Sequence, residues 1–266
     1  MTYALHQGTA PLLVSMPHIG TEIPQELRDR YVPRALEVED TDWHLARLYG
    51  WLPEIGASIL QPRISRYVID LNRPPDDAPM YPGASNTELC PTRFFTGDPL
   101  YREGCAPDAA ERQPRRETYW QPYHDALHAE LERIKARHGF ALLWDAHSIR
   151  SRIPWLFEGE LPALNVGTAS DLSADAKVAK AVMNAAARRP EISHVLNGRF
   201  KGGYITRHYG RPAADVHAVQ LEMCQNLYMP EQPPWGYDEE RARRIQPVLR
   251  EMVLAAMVTC GALHER

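Results

Sequence analysis

The sequence predicts an α/β protein, a sheet with helices on both of its faces. Three observations predict it. Short apolar runs such as Leu12–Met16 and Phe140–Trp144 show no polar alternation, as expected of strands covered on both sides. Other segments repeat apolar residues at spacings of three and four, the period of an amphipathic helix. The two kinds of segment alternate along the chain, which is the pattern of layered α/β folds.

Taken in order, LLVSM (12–16) is a strand cut off by Pro17 and Gly20. DTDWHLARLYGWL (40–52) carries Trp43, Leu45, Ala46, Leu48, Tyr49 and Leu52 at helical spacing, with Asp40 or Thr41 as its cap. SILQPRISRYVIDLN (58–72) reads as two strands rich in β-branched residues, meeting near Pro62–Ser65. Residues 73–113 have little periodicity and many Pro, Gly, Asp and Asn, so they read as a long excursion, a type of loop that is more often functional or disordered than incidental. A helix follows from about Arg115 to His138, with Trp120, Tyr123, Leu127, Leu131 and Ile134 on one face and Gly139 as its stop. Strands at 140–144 and 163–168, a helix at 173–188, strands at HVLNG and VHAVQLEM, and a helix over about 238–263 complete the chain.

At 266 residues, 44% of them hydrophobic and 24% charged, the chain is long enough for one large domain, expected over 1–266. Its 30 basic and 34 acidic residues leave a formal charge of −4 without a long single-sign run, so nucleic acid is not an expected partner. The first twenty residues lack a secretory pattern and no apolar run looks long enough to span a bilayer, so no membrane partner and a cytoplasmic location are expected. Cys90, Cys105, Cys224 and Cys260 form no C-x-x-C pair and are expected to be reduced thiols.

Polar chemistry collects where the strands end. Phe140–Trp144 is followed by Asp145, His147, Ser148, Arg150 and Arg152; LLVSM runs into Pro17-His18; RYVID runs into Leu71-Asn72-Arg73; VHAVQ runs into Leu221-Glu222. Carboxyl ends of strands are where open α/β sheets bind ligands. Taken singly, each residue has a structural role open to it: Asp42 as a helix cap, Arg73 bridging to Asp70, Glu222 paired with an arginine. Brought to one crevice, they make a metallohydrolase inventory. His18 and His147 offer two imidazoles to a zinc ion, and the third ligand is an oxygen from Glu22 or Asp42. Glu222 is then free to act as the base. A rival signal, His124-Asp-Ala-Leu-His128, has the i, i+4 spacing of H-E-x-x-H sites but lacks the glutamate, and Leu127 and Leu131 place His124 near the buried stripe.

The order of these motifs resembles the zinc carboxypeptidases: a metal histidine after an early strand, then Asp70-Leu-Asn-Arg73, then Asp145-Ala-His-Ser148, then a strand with a lone glutamate at 222. The position three residues after His18, a glutamate ligand in that family, is Thr21 here. The finer details resemble a sister family, the N-formylglutamate amidohydrolases, through SMPHIGTEIP, DTDWHLARLYGW, SRYVIDLNRPPDD, DAHSIRSRIPWLFEG, GRFKGGYITRHYG and VQLEMCQNLYM, from about residue 12 to 230. The resemblance implies a three-layer αβα fold with a mixed, mostly parallel sheet, zinc carboxypeptidase-like. It implies zinc, or another divalent metal, on His18, Asp42 and His147, with Asp42 preferred over Glu22 because the resemblance covers DTDWH. Glu222 is the implied base, and Asp145 orients His147. The implied reaction is hydrolysis of N-formyl-L-glutamate, a small dicarboxylate, to formate and L-glutamate in histidine breakdown. Asn72 and Arg73 would take one carboxylate. Arg150 or Arg207 would take the other, with Arg66 and Arg93 further possibilities. The alternatives are a zinc carboxypeptidase or N-acyl amino acid deacylase with another substrate, and a non-catalytic binding protein of the same fold.

Overall fold

Two nine-residue strands, β4 (Ala141–Ile149) and β7 (Val216–Cys224), lie side by side at the centre of the sheet, and every residue of both is buried. The computed structural model describes residues 2–80 and 87–265. The other strands are β1 (Tyr3–His6), β2 (Leu12–Ser15), β3 (Ser58–Pro62), β5 (Leu164–Gly167) and β6 (His194–Leu196), in the order β1-β3-β2-β4-β7-β5-β6. β3, β2, β4 and β7 run parallel, β1 closes one edge antiparallel to β3, and β5 turns against β7 with β6 parallel to it. The sheet is therefore mixed, with a parallel centre.

The helices are α1 (Gln25–Arg28), α2 (Leu45–Leu48), α3 (Ala109–Arg115), α4 (Gln121–His138), α5 (Ala176–Ala186), α6 (Tyr204–Tyr209) and α7 (Glu239–His264). One face of the sheet packs Trp144, Ala146, Val219 and Leu221 against α2, α5 and α7. The other packs Leu13, Leu143 and Ala218 against α4, with Ile205 of α6 beside them. This is the three-layer αβα arrangement. At about 25 cal/mol per Å² of apolar burial, two such cores supply the main driving force for folding.

Several elements differ from their sequence reading. The second strand expected in 58–72 is a turn: the Ser65 hydroxyl accepts from Tyr67 N–H, Val68 N–H bonds Ser65 O, and β1 already occupies that edge of the sheet. The helix expected over 40–52 shrinks to the single turn of α2 and a 3₁₀ turn at Leu52–Ile55, because His44 is left-handed (φ 61°). Neither expected cap acts as one: Asp40 takes Tyr67 OH and Phe95 N–H, and Thr41 Oγ1 donates to Val38 O. The helix expected from 115 begins earlier, at α3, where Asp108 caps Glu111 N–H at 2.9 Å. It reaches α4 through a π turn at Arg116–Trp120, next to Pro122, which has no N–H to donate. Gly139 ends α4 with φ 81°.

The strand expected to stop at 144 continues to 149, because Asp145 and His147 find side-chain partners within the fold. In the excursion, the described residues include buried Leu89, Phe94, Phe95 and Tyr101, while 81–86 lie outside the described residues. The final helix is, contrary to the sequence reading, long and apolar enough to cross a membrane by length and composition. Its apolar stripe, Ile245, Leu249, Met252, Val253 and Ala256, is instead spent on the core.

Candidate metal and substrate site

Three segments far apart in sequence meet beyond the carboxyl end of β2. His18 stands in the turn that Pro17 forces after the strand, and Asp42 is tied to that turn by its N–H on His18 O at 3.0 Å. His147 comes from within β4. The Nδ1 atoms of the two histidines are 3.1 Å apart, and Asp42 Oδ2 lies 3.3 Å from His147 Nδ1 and 3.7 Å from His18 Nδ1. All three residues are buried.

The far nitrogen of each ring decides what the near one presents. His18 Nε2 lies 2.7 Å from Asp70 Oδ1, and His147 Nε2 lies 3.1 Å from Asp145 Oδ2. A carboxylate only accepts, so Asp70 and Asp145 favour the hydrogen on each Nε2, against the Asn72 amide nitrogen that also lies 3.1 Å from His147 Nε2, and in that tautomer each Nδ1 is left with a lone pair. Two lone pairs then face each other beside a carboxylate oxygen, an arrangement that becomes favourable only with a cation or a proton between them. A triangle with these sides has a point about 2.0 Å from every corner, the bond length of zinc to imidazole and carboxylate. The donor set therefore fits a divalent metal, and its carboxylate-histidine backing is that of metal-binding imidazoles.

The supports are themselves supported. Arg66 Nη2 donates to Asp70 Oδ2 at 2.8 Å, and Ser148 N–H donates to Asp42 Oδ2 at 3.2 Å. Asn72 donates to Asp145 Oδ2 at 3.4 Å and accepts Ile205 N–H, tying α6 to β4. Burial works against charging Asp70, but His18, Arg73 and Arg66 outweigh it and hold the carboxyl well below its usual range. Burial and then Arg66 push His18 down. Burial also opposes protonation of His147, yet Asp145 and Asp42 hold it well above the ordinary histidine value.

Glu222 pairs in register with His147 on the neighbouring strand, so both side chains leave the sheet on one face. Among the described residues its carboxylate has no hydrogen-bond partner. Burial raises it to about 8, with Asp42 adding to the shift and His147 opposing it. A small cavity of about 70 Å³, room for a few waters, is lined by His18, His147, Glu222, Asn72, Arg66, Arg73 and Arg199. Phe95, Leu156 and Phe200 give it an apolar wall.

The structure thus brings together His18, Asp42, His147, Glu222, Asn72 and Arg73. It does not bring Arg150 or Arg207 to the cavity. Arg150 is engaged by Asp40 at 2.7 Å and faces Glu39, and Arg207 Nε donates to Gly202 O. Glu22 is exposed and pairs its backbone with Arg63 and Ser65. Arg199 and Gln220, two polar residues of the cavity, are not among the sequence candidates. Arg199 lies in GRFKGG, where attention went to Arg207, and Gln220 lies two residues before Glu222, where strand alternation points to the same face. His124 and His128 form no pair: His124 is buried and His128 is exposed.

The family model for N-formylglutamate amidohydrolase matches residues 10–229. The chain is 49% identical to the N-formylglutamate deformylase of Pseudomonas putida over 97% of this chain and 96% of that one. It is 51% identical to the N-formylglutamate deformylase of Pseudomonas aeruginosa over 93% and 92% of the two chains. Among solved structures, an N-formylglutamate amidohydrolase from Ralstonia eutropha superposes with a TM-score of 0.79 at 24% identity, covering 97% of both chains. A protein of Agrobacterium tumefaciens superposes at 0.73 with 19% identity, covering 97% of this chain and 95% of that one. These two likenesses speak to the fold.

Proposed function

This chain belongs to the N-formylglutamate amidohydrolase family, and from that premise we propose that it hydrolyses N-formyl-L-glutamate to formate and L-glutamate, using a zinc ion held by His18, Asp42 and His147. The observation that carries the reading is the pair of facing Nδ1 atoms, each ring backed by a carboxylate, with a glutamate on the adjacent strand that has no hydrogen-bond partner among the described residues. Zinc bound there supplies Lewis acidity toward the formyl oxygen and makes water acidic enough to attack near neutral pH.

The chain's own residues do the rest. Glu222 takes the proton of the attacking water and hands it to the nitrogen of the departing amine. Burial raises Glu222 to about 8, so near neutral pH its ionised fraction does this, a fraction that a cation on His18, Asp42 and His147 would enlarge. Arg73 meets a substrate carboxylate with its guanidinium fork, held in place by its own bonds to Thr87 and Asn72 O. Arg199 adds a second positive charge to the cavity, as a dicarboxylate requires. We place the reaction in histidine breakdown and in the cytoplasm, a setting in which the four free cysteines stay reduced.

The test is formate release from N-formyl-L-glutamate by the purified protein, before and after chelation and with zinc or other divalent metals restored. Activity that is lost with chelator and regained with zinc is the expected result. A protein with its metal site filled that releases no formate overturns the substrate. Activity indifferent to chelation, in protein shown to be metal-free, overturns the metal.

A further inference from the structure

We propose that Gln220 reads the side-chain carboxylate of the substrate, acting as a hydrogen-bond donor whose orientation is set by the glycine loop. The inference rests on the reading of N-formyl-L-glutamate as substrate and goes beyond it in naming the residue that distinguishes the γ-carboxylate.

The geometry begins with Gly203. Its N–H donates to Gln220 Oε1 at 2.7 Å. A backbone N–H can only donate, so the atom it meets must be the amide oxygen, and the Gln220 amide has one allowed orientation. Its Nε2 is thereby turned away from the loop. Among the described residues Nε2 has no partner, and it is not one of the sealed polar atoms of the interior; Gln220 lines the cavity, and Nε2 opens into it. Gly203 is required for this approach, since a Cβ there would collide with the Asn72 side-chain amide.

Position along the strand selects the group that Gln220 meets. Gln220 and Glu222 leave β7 on the same face, about 6.6 Å apart for two strand residues. Glu222 and His147 share one level of the sheet, where the amide is cut, and Gln220 shares the level below with Asp145. The α-carboxylate sits on the carbon bonded to the amide nitrogen and stays near the cleavage level. The longer arm of the glutamate side chain reaches the level of Gln220. Either oxygen of a γ-carboxylate can meet a donor there, whereas a side-chain amide meets it only with its single carbonyl oxygen turned to Nε2, which leaves the glutamine derivative at a disadvantage.

The experiment measures kcat and KM of wild type, Q220E and Q220M on N-formyl-L-glutamate and N-formyl-L-glutamine, together with metal content and Tm. Q220E keeps an oxygen for Gly203 N–H and replaces the donor by an acceptor. It is expected to lower kcat/KM for N-formyl-L-glutamate by about 10- to 100-fold, chiefly through KM, and to shift the ratio of the two substrates toward the glutamine derivative, with metal content unchanged. Q220M is expected to weaken N-formyl-L-glutamate similarly without favouring the glutamine derivative. A substrate ratio in Q220E within about threefold of wild type, or an equal fall in kcat for both substrates with lowered Tm, overturns the assignment and leaves Gln220 a structural support of the loop. If Q220E does not fold, a wild-type KM for N-formyl-L-glutamate in Q220M overturns it. A wild-type enzyme that releases no formate from N-formyl-L-glutamate overturns the proposed function itself, and this assignment with it.

Discussion

Two buried histidine sites lie within one molecule, and they are finished in opposite ways. His124 on α4 has both nitrogens matched by neutral groups: Nε2 donates to Leu71 O and Nδ1 accepts from Tyr209 OH, each at 2.9 Å, while its ring stacks on Trp120 at 3.7 Å. Burial then holds it down to about 3, and it stays neutral. His18 and His147 are buried as deeply, yet each gives Nε2 to a carboxylate and turns Nδ1 toward the other ring and toward Asp42. His124 is matched on both sides by neutral groups, whereas the His18–His147 pair leaves its Nδ1 atoms beside Asp42 in a donor set that fits a cation. Even so, the platform under His124 serves the site, because Trp120 Nε1 donates to Arg73 O at 3.0 Å and His124 holds the preceding Leu71 carbonyl.

Glu222 stands beside the His18–His147 pair and has no counterpart at His124. E222Q is expected to lower kcat by about 10²- to 10⁴-fold with metal content intact, which kinetics and metal analysis on one preparation would check. A loss of bound metal instead would make Glu222 a ligand and redraw the site.

Next in size is Arg150. R150A leaves the buried Asp40 carboxylate without its charged partner, so urea unfolding should show a loss of about 2–3 kcal/mol, moderated by the partial exposure of the guanidinium. KM for N-formyl-L-glutamate should stay within about twofold. A steep rise in KM at unchanged stability would return Arg150 to the substrate.

The backing carboxylates come third. D145N and D70N should weaken metal binding by about 10- to 100-fold in chelator competition, whereas H124Q should leave it untouched. Equal effects from all three would erase the distinction between the two sites.

The smallest effect is a pH dependence confined to His124. Unfolded, it takes a proton below its ordinary value of 6.5; folded, it resists until about 3. Its depressed value therefore removes stability as pH falls through that window, by up to about 2 kcal/mol at pH 5 relative to pH 7.5. Because H124Q lacks this component, the stability gap between wild type and H124Q should narrow on acidification. A gap independent of pH would mean that His124 is not held neutral.

The sequence by itself determined the layers and the chemistry on offer. Buried strands such as Leu12–Ser15 and the start of β4 announce themselves by continuous apolar runs, and α4 and α7 by their period, because burial on one or both faces imposes a local pattern. His18, His147 and Glu222 stood out because polar residues interrupt such patterns. Arg66–Asp70 was misread as a strand because β-branched residues also fill turns when the adjacent edge is taken. Only the tertiary structure decided which carboxylate stands beside the histidines, Asp42 or Glu22, since both occupy plausible positions along the chain and only one is folded back onto His18. The same holds for Arg150, claimed by Asp40 from 110 positions away, and for Gln220, whose amide is turned by a glycine 17 residues earlier. Periodicity records whether a side chain is buried; which partner it meets depends on distances between segments that the local pattern does not encode.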